Sequence, residues 1–407
     1  MKDFLPIVLG SDENAYGCAR LIHEAYGIKS LLLCKTRLRP TKYTNICNLK
    51  EIPDFDVPEV FIKELLNILR SAEGEYEKCV VVPCSDYYVY LVSENYDKFE
   101  GRVANKFIST ELISRLETKD SFYALCEEYG LDYPKTLVIE KDDRLTVDIE
   151  SKIAFPLVMK PENSNASDYL NCHFEGKKKV YFLDTMEEYL TVVKSMNTTD
   201  YNGKLIVQEY IKGDDSAGRV VNSYSDRNGK VRVSVLGQPV LEEYSPNFLG
   251  NYAAIISRND KSITDRIADF LEKIGYVGYS NFDMKYDSER GKYMLFEINP
   301  RLGRSSFFVY GAGINVLKVM IDDVVYGKEP NEVTEHKVCL WTAVPRMVLM
   351  KYVKNKELKK EIKKLYPKKV RTIFYDKDKN LKRSLIINRH FFSYVKQYAK
   401  YYFDKQI

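Results

Sequence analysis

The sequence predicts a mixed α/β protein, and three features predict it. Near the start, apolar runs stand at 4–10, 31–34 and 80–83, with one helical stretch between the first two, the strand–helix–strand spacing of a parallel sheet. From 205 to 299 the pattern changes to alternating strands joined by polar turns such as Asp226-Arg227-Asn228-Gly229. Beyond Lys328 it changes again, to a basic and aromatic segment. The 407 residues are enough for two or three domains, and the last shift sets 331–407 apart.

Composition excludes several classes. Apolar residues at 45% and charged residues at 29% describe a soluble globular chain, and no apolar run approaches the length of a membrane span. The opening Met-Lys-Asp-Phe-Leu-Pro reads as a short strand carrying an acid, not as a signal peptide. Eight cysteines occur without a Cys-x-x-Cys pair, so they read as reduced, mostly buried thiols of a cytoplasmic protein. The four histidines lack metal-ligand spacing. Charge is uneven: residues 331–407 carry 20 Lys+Arg against 7 Asp+Glu, a net of +13, while the rest of the chain carries −9. A basic end on an acidic body points to an anionic partner, and nucleic acid, a membrane surface or a polyanionic substrate would each match.

Taken in order, the strand at 4–10 ends in Gly10, and Ser11-Asp12-Glu13-Asn14 opens a helix through about Tyr26, with Ser11 or Asp12 as N-cap. Gly10 and Gly17 do not form Gly-x-Gly-x-x-Gly, so a dinucleotide site is rejected. What remains is a helix N-terminus at a strand end, which can hold an anion. Residues 106–130 read as two helices, the second opened by Lys119-Asp120-Ser121-Phe122, followed by a strand at 137–140. The run 153–160 is an apolar strand ending in Lys160. A lysine at the inner end of a buried strand needs a partner, and phosphates would serve. The small polar stretch 161–168 can wrap phosphates with its backbone N–H groups, although no P-loop motif occurs in the chain. A strand at 205–211 is followed by Lys-Gly-Asp-Asp-Ser. Strands at 220–224 and 230–236 form an antiparallel pair, and 237–254 reads as an irregular segment able to cover a substrate. An amphipathic helix at 263–274 leads into a hairpin, and a helix at 311–326 follows it. The basic end reads as an apolar stretch at 339–350, a basic helix at 351–365, two strands flanking Asp376-Lys377-Asp378-Lys379, and a final helix over the last twenty residues.

The hairpin at 281–306 carries the densest chemistry. Phe282, Met284 and Tyr286 alternate with Asp283 and Lys285, and pairing around the 288–291 turn brings Asp283 opposite Glu297, with Asn299 pointing the same way. Two carboxylates and an amide oxygen suit a hard cation such as Mg²⁺. Arg301, Gly303 and Arg304 follow at once, a basic turn beside a cation site of the kind that holds phosphates while charge moves.

The Phe-Asp-Met-Lys strand with Glu-Ile-Asn-Pro-Arg resembles the metal-binding end of the ATP-grasp superfamily, whose members activate carboxylates as acyl phosphates and pass them to amines. Gly-Asp-Asp-Ser, Leu-Glu-Glu-Tyr-Ser-Pro and Asn-Pro-Arg-Leu-Gly-Arg-Ser-Ser resemble carboxylate–amine ligases of the D-aspartate ligase type, as does the opening Pro-Ile-Val-Leu-Gly-Ser-Asp-Glu-Asn. The resemblance implies an N-terminal parallel α/β domain at 1–105, an ATP-grasp domain at 106–330 whose part at about 120–212 clamps the nucleotide, and a small basic C-terminal extension. It implies ATP with two Mg²⁺ ions, Mn²⁺ being a substitute. Lys119 and Lys160 would reach the phosphates. Gln208, the Glu209 carbonyl and the Ile211 N–H would read the purine, and Asp215 (Asp214 being the alternative) would bind the ribose. Asp283, Glu297 and Asn299 would hold the metal. Arg301 or Arg304, with the Gly303 N–H, would stabilise the transferring phosphoryl group and the tetrahedral intermediate. Ser305, Ser306, Ser11 and Asp12 would contact the substrate. Glu242 and Glu243 are candidates for the base that deprotonates the amine. The partners implied are an amino acid and an amine acceptor such as a UDP-muramoyl-peptide, with no nucleic acid; peripheral contact with an anionic membrane surface is expected from the charge of the basic end, not from the resemblance. Two alternatives remain: a ligase joining free amino acids or forming carboxyphosphate, and a nucleotide-binding regulator without turnover.

Overall fold

The computed structural model describes every residue except 163–166, 247, 334 and 404–407. The chain opens with strands β1 (Lys2–Leu9), β2 (Ser30–Cys34), β3 (Cys47–Glu51) and β4 (Tyr76–Pro83). Helices α1 (Glu13–Tyr26), α2 (Pro58–Ser71) and α3 (Asp86–Glu94) are interleaved with them, and α4 (Thr110–Glu117) and α5 (Lys119–Glu128) follow. Next come β5 (Thr136–Ile139), β6 (Leu157–Pro161), α6 (Ser167–Asn171), β7 (Tyr181–Leu183), α7 (Met186–Met196) and β8 (Leu205–Glu209). Strands β9 (Gly218–Ser225), β10 (Val231–Glu242) and β11 (Tyr252–Arg258) precede α8 (Lys261–Lys273). The hairpin β12 (Gly278–Asp287) and β13 (Lys292–Asn299) leads to α9 (Phe307–Gly311) and α10 (Val316–Val324). The chain continues through β14 (Leu340–Thr342), α11 (Arg346–Tyr352), α12 (Lys356–Leu365) and α13 (Leu381–Tyr401).

Two compact units result. The first comprises Met1–Ile113, Asp214–Asp283 and Ile298–Ile407; the second comprises Ser114–Gly213 and Met284–Glu297. The division cuts the β12–β13 hairpin, so Asp283 and Asn299 belong to the first unit and Glu297 to the second.

In the first unit a parallel sheet runs β3-β2-β1-β4. Ile7, Val8 and Leu9 are fully buried, as expected of a central parallel strand covered on both faces, which is why they form an unbroken apolar run. Gly10 ends β1 with φ +135, a conformation L side chains rarely adopt, and a Cβ there would meet Cys84 at 3.3 Å. Asp12, not Ser11, caps α1, its side chain accepting from Ala15 N at 2.9 Å. The larger sheet runs β13-β12-β9-β10-β11-β14 and is antiparallel from β9 to β14. Its last strand comes from the basic end of the chain. Trp341, Tyr375 and Ile387 share one buried core with Phe4, Val8, Val235 and Ile255, so the C-terminal segment packs into the same unit as the first strands.

In the second unit β5-β8-β6-β7 form an antiparallel sheet. Met159, Leu205 and Val207 bury their side chains with Tyr189 and Val193 of α7.

Several expectations are corrected. No strands flank 376–379; a short 3₁₀ turn, Asp376–Asp378, stands there. Asp378 is buried and accepts from Tyr16 Oη and Thr44 Oγ1 at 2.8 Å, and Arg383 Nε lies 2.9 Å from it, so local strand pairing gives way to a tertiary ion pair. Half of the segment at 237–254 is strand, because β10 runs on to Glu242 and β11 starts at Tyr252; the irregular part is confined to 243–251, and its Asn247 lies outside the described residues. The strand expected at 153–160 begins at Leu157, after Pro156, which has no N–H to give a ladder. The basic helix expected at 351–365 is broken: α11 ends at Tyr352, and Asn355 caps α12 by accepting from Glu357 N and Leu358 N. The helix expected at 311–326 starts at Val316, capped by Asn315. The helices α2, α3 and α7 were not anticipated. All eight cysteines are free and buried.

Candidate active site

In a parallel sheet, ligands bind outside the carboxyl ends of the strands, where the strand order reverses. Here that place lies between β1 and β4, whose ends lead into Ser11–Asn14 and Cys84–Asp86. The loop after β13 is tied to it. Asn14 Nδ2 donates to Leu302 O at 2.6 Å and to Cys84 O at 3.2 Å. Arg301 Nη2 donates to Asp86 Oδ2 at 2.9 Å and to Asn299 Oδ1 at 3.2 Å. Arg301 Nε is buried and has no hydrogen-bond partner among the described residues. An orphaned guanidinium N–H at a strand-end crevice is the geometry an oxyanion completes.

Asp283 lies in the same unit. Its Oδ1 accepts from Tyr252 Oη at 2.9 Å, and its Oδ2 accepts from Asn299 Nδ2 at 3.1 Å and Asn281 Nδ2 at 3.2 Å. The Asn299 amide gives its nitrogen to Asp283 and its oxygen to Arg301, so the hard oxygens offered here to a cation such as Mg²⁺ are chiefly those of the Asp283 carboxylate.

Arg304 is held in a separate buried network. It forms an ion pair with Glu243, donates from Nη2 to Tyr252 O at 2.6 Å, and contacts Tyr394 Oη at 3.3 Å. Tyr394 Oη also reaches Glu243 Oε1 at 3.3 Å. Glu243 is thus an anchor for Arg304, and its ion pair opposes the proton-accepting role considered for it. Glu242 turns its backbone to Asp215 and Tyr398. The Gly303 N–H donates to Ser306 Oγ at 2.7 Å, so both members of that pair are engaged with one another; Ser305 and Ser306 are buried. Ser11 Oγ donates to Thr36 O at 2.7 Å. Glu13, which the sequence did not single out, is buried at the start of α1. Burial raises its carboxyl to about 7, while Arg304 pulls it down and Glu243 and Asp12 push it up.

Asp215 is buried, with Tyr244 Oη at 2.9 Å and the Glu242 N–H donating to it, whereas Asp214 is exposed and caps the turn after it.

The second unit gathers the other basic candidates. Lys119 Nζ donates to Glu297 Oε2 at 2.9 Å and to the Phe296 carbonyl. Burial lowers the ammonium of Lys160 to about 8; Lys119 lowers it further and Glu297 opposes the shift. Gln208 Nε2 donates to Thr136 Oγ1 at 2.7 Å and Tyr123 Oη at 2.8 Å. The Glu209 carboxylate is clamped by both terminal nitrogens of Arg290, at 2.8 and 2.6 Å, and its backbone N–H donates to the Lys135 carbonyl at 2.9 Å. Ile211 is buried and its carbonyl accepts from Lys285 Nζ at 2.6 Å. The small polar stretch after Lys160 falls largely at 163–166, outside the described residues. Sequence reasoning missed Glu13, Asp86, Tyr252 and Tyr394, whose partners are far away in the chain.

No family model matches this sequence. The chain is 38% identical to the D-aspartate ligase of Enterococcus faecium (strain Aus0004) over 415 residues, covering 100% of this chain and 98% of that protein. Among solved structures, an N5-carboxyaminoimidazole ribonucleotide synthetase in complex with ADP superposes with a TM-score of 0.59 at 14% identity, over 83% of this chain and 80% of that one. An L-amino acid ligase from Bacillus licheniformis gives 0.56 at 13%, over 80% and 75%. These define a carboxylate–amine ligase of the ATP-grasp superfamily. Within that class, the chain belongs to the D-aspartate ligase family.

Proposed function

We propose that this protein uses ATP to join D-aspartate to the lysine side chain of a peptidoglycan precursor through an acyl phosphate. The name of the full-length relative supports the acid. The observation that carries the chemistry is the buried Nε of Arg301, which has no hydrogen-bond partner among the described residues, on a guanidinium tied to Asn299 and Asp86 at the strand-end crevice.

In this reading a carboxylate oxygen of the amino acid attacks the γ-phosphorus of ATP, and ADP leaves. The amine nitrogen then adds to the acyl carbon, loses a proton, and expels phosphate to give the amide. Lys119 and Lys160 would neutralise the phosphates; Gln208, the Glu209 carbonyl and the Ile211 N–H would read the purine. In the first unit, Asp215 would take the ribose. Arg301 would stabilise charge on the transferring group, held in aim by Asp86, and Arg304 would be held by Glu243. Ser11, Asp12, Ser305 and Ser306 would line the approach of the acid. Asp283, Glu297 and Asn299 would hold Mg²⁺, two ions per ATP with Mn²⁺ as substitute, and the cation would offset phosphate charge. The domain reading at 1–105, 106–330 and 331–407 is part of this proposal, as is a cytoplasmic location, with which eight buried free thiols agree. The basic end would attract an acceptor bearing a diphosphate and carboxylates.

A panel of amino acids in both enantiomers, scored by phosphate release with and without UDP-muramoyl-pentapeptide, tests this. D-aspartate with the acceptor should give turnover. Release that needs only two free amino acids would make the protein a dipeptide ligase instead.

A further inference from the structure

Helix α13 packs one stripe inward and leaves another facing solvent. Arg383, Ile387, Phe391, Tyr394 and Tyr398 are its buried residues, spaced three or four apart. On the opposite stripe Leu381 is 78% exposed, Leu385 66% and Phe392 56%. Single exposed apolar side chains are ordinary, but three on one stripe of one helix are a patch. The cations Lys382, Arg389, Lys396 and Lys400 are exposed on the same helix. Residues 381–401 contain no Asp or Glu. Among the described residues no helix is long and apolar enough to cross a membrane, so a lipid contact here would be made from one side.

We infer that the outer face of α13 docks the protein on an anionic lipid surface, lying in the plane of the headgroups. Leucine and phenylalanine side chains enter the boundary between headgroups and acyl chains, while the long stems of lysine and arginine reach back to the phosphates. Charge complementarity selects this occupant. A second copy of the chain would bring the same cations, with no acid on the helix to meet them, so the two faces would repel. The buried stripe is not needed for the contact, because it already seals the protein core. The inference rests on this helix face and not on the ligase reading.

Co-sedimentation of the full chain with vesicles decides it. Binding is expected to phosphatidylglycerol-containing vesicles and to be weak on phosphatidylcholine alone. It should fall at least about tenfold between about 0.05 and about 0.5 M salt. Leu385→Asp with Phe392→Asp should remove it, and Lys382→Glu with Lys396→Glu should lower it by at least about tenfold. Because all four side chains are exposed, the melting temperature of each variant should match that of the parent. Absence of binding to the anionic vesicles at low salt overturns the proposal. So does binding that neither pair of substitutions changes. A dimer in sedimentation velocity that Phe392→Asp dissociates would assign the face to a second copy, and capture of a polyanion such as RNA in preference to vesicles would assign it to nucleic acid; either result also overturns it.

Discussion

Lys119 Nζ lies 2.9 Å from Glu297 Oε2, an ion pair between the first residue of α5 and the strand β13. The Glu297 side chain is 46% exposed, so the pair adds little to stability. Its value is in placement: a carboxylate proposed for Mg²⁺ is held by a lysine proposed for phosphate. Glu297→Gln keeps the size and removes the charge. Turnover should drop at least about a hundredfold, with the melting temperature unchanged, because charge stabilisation dominates phosphoryl transfer. Near-normal ADP release from the folded variant would take Glu297 out of the site.

Lys160 gives a pH signature. Its folded pKa is about 8, below its ordinary 10.5. A phosphate arriving beside it favours the charged form, so ATP binding should take up protons around pH 8 to 9 and weaken as the pH rises through that range. Calorimetry in two buffers of different ionisation enthalpy measures the uptake. Lys160→Ala should abolish the linkage and cost on the order of 1.5–3 kcal/mol of ATP affinity. Equal heats in both buffers for the parent protein would mean that this lysine does not face the nucleotide.

The fold was legible wherever local pattern and tertiary environment agreed. The buried run before Gly10, the Asp226–Gly229 turn and the β12–β13 hairpin are read from spacing alone. Failures occurred where a distant partner overrode the local signal. Residues near Asp378 alternate like strands, yet that acid is claimed by Tyr16, Thr44 and Arg383. At the candidate site the hairpin acids and arginines were visible because they are close in sequence. Asp86 and Tyr252 were not, since they lie 215 and 31 residues from the groups they hold.

Arg304 and Glu243 supply a test of anchoring. Glu243 is 2% exposed; burial pulls the Arg304 guanidinium down, but this carboxylate, with Tyr394 and Glu13, outweighs it and raises the guanidinium above its already high value. Glu243→Ala strands a buried cation and should cost about 3–5 kcal/mol of stability in a denaturant titration. Glu243→Gln keeps a hydrogen-bond acceptor and should cost less. A double-mutant cycle with Arg304→Met should show coupling, the second substitution recovering part of the loss. Additive losses would show that the two side chains do not depend on one another.

Glu13 makes stability depend on pH in the opposite sense to a salt-bridged acid. Its carboxyl is raised to about 7 from an ordinary 4.5, chiefly by burial, with Glu243 and Asp12 adding to the rise and Arg304 opposing it. Between about pH 4.5 and 7 the folded protein therefore holds a proton that the unfolded chain has released. Stability contributed by this group falls as the pH climbs through that window, and the full cost is present above it. Glu13→Gln removes the titration while preserving shape. The variant should melt higher than the parent at pH 8, by a free energy on the order of 1–3 kcal/mol, and the gap should close by about pH 5. Melting curves of both proteins from pH 5 to about pH 8 measure it. Parallel curves, or a variant that is less stable at the alkaline end, would show that Glu13 is ionised at neutral pH and paired with Arg304.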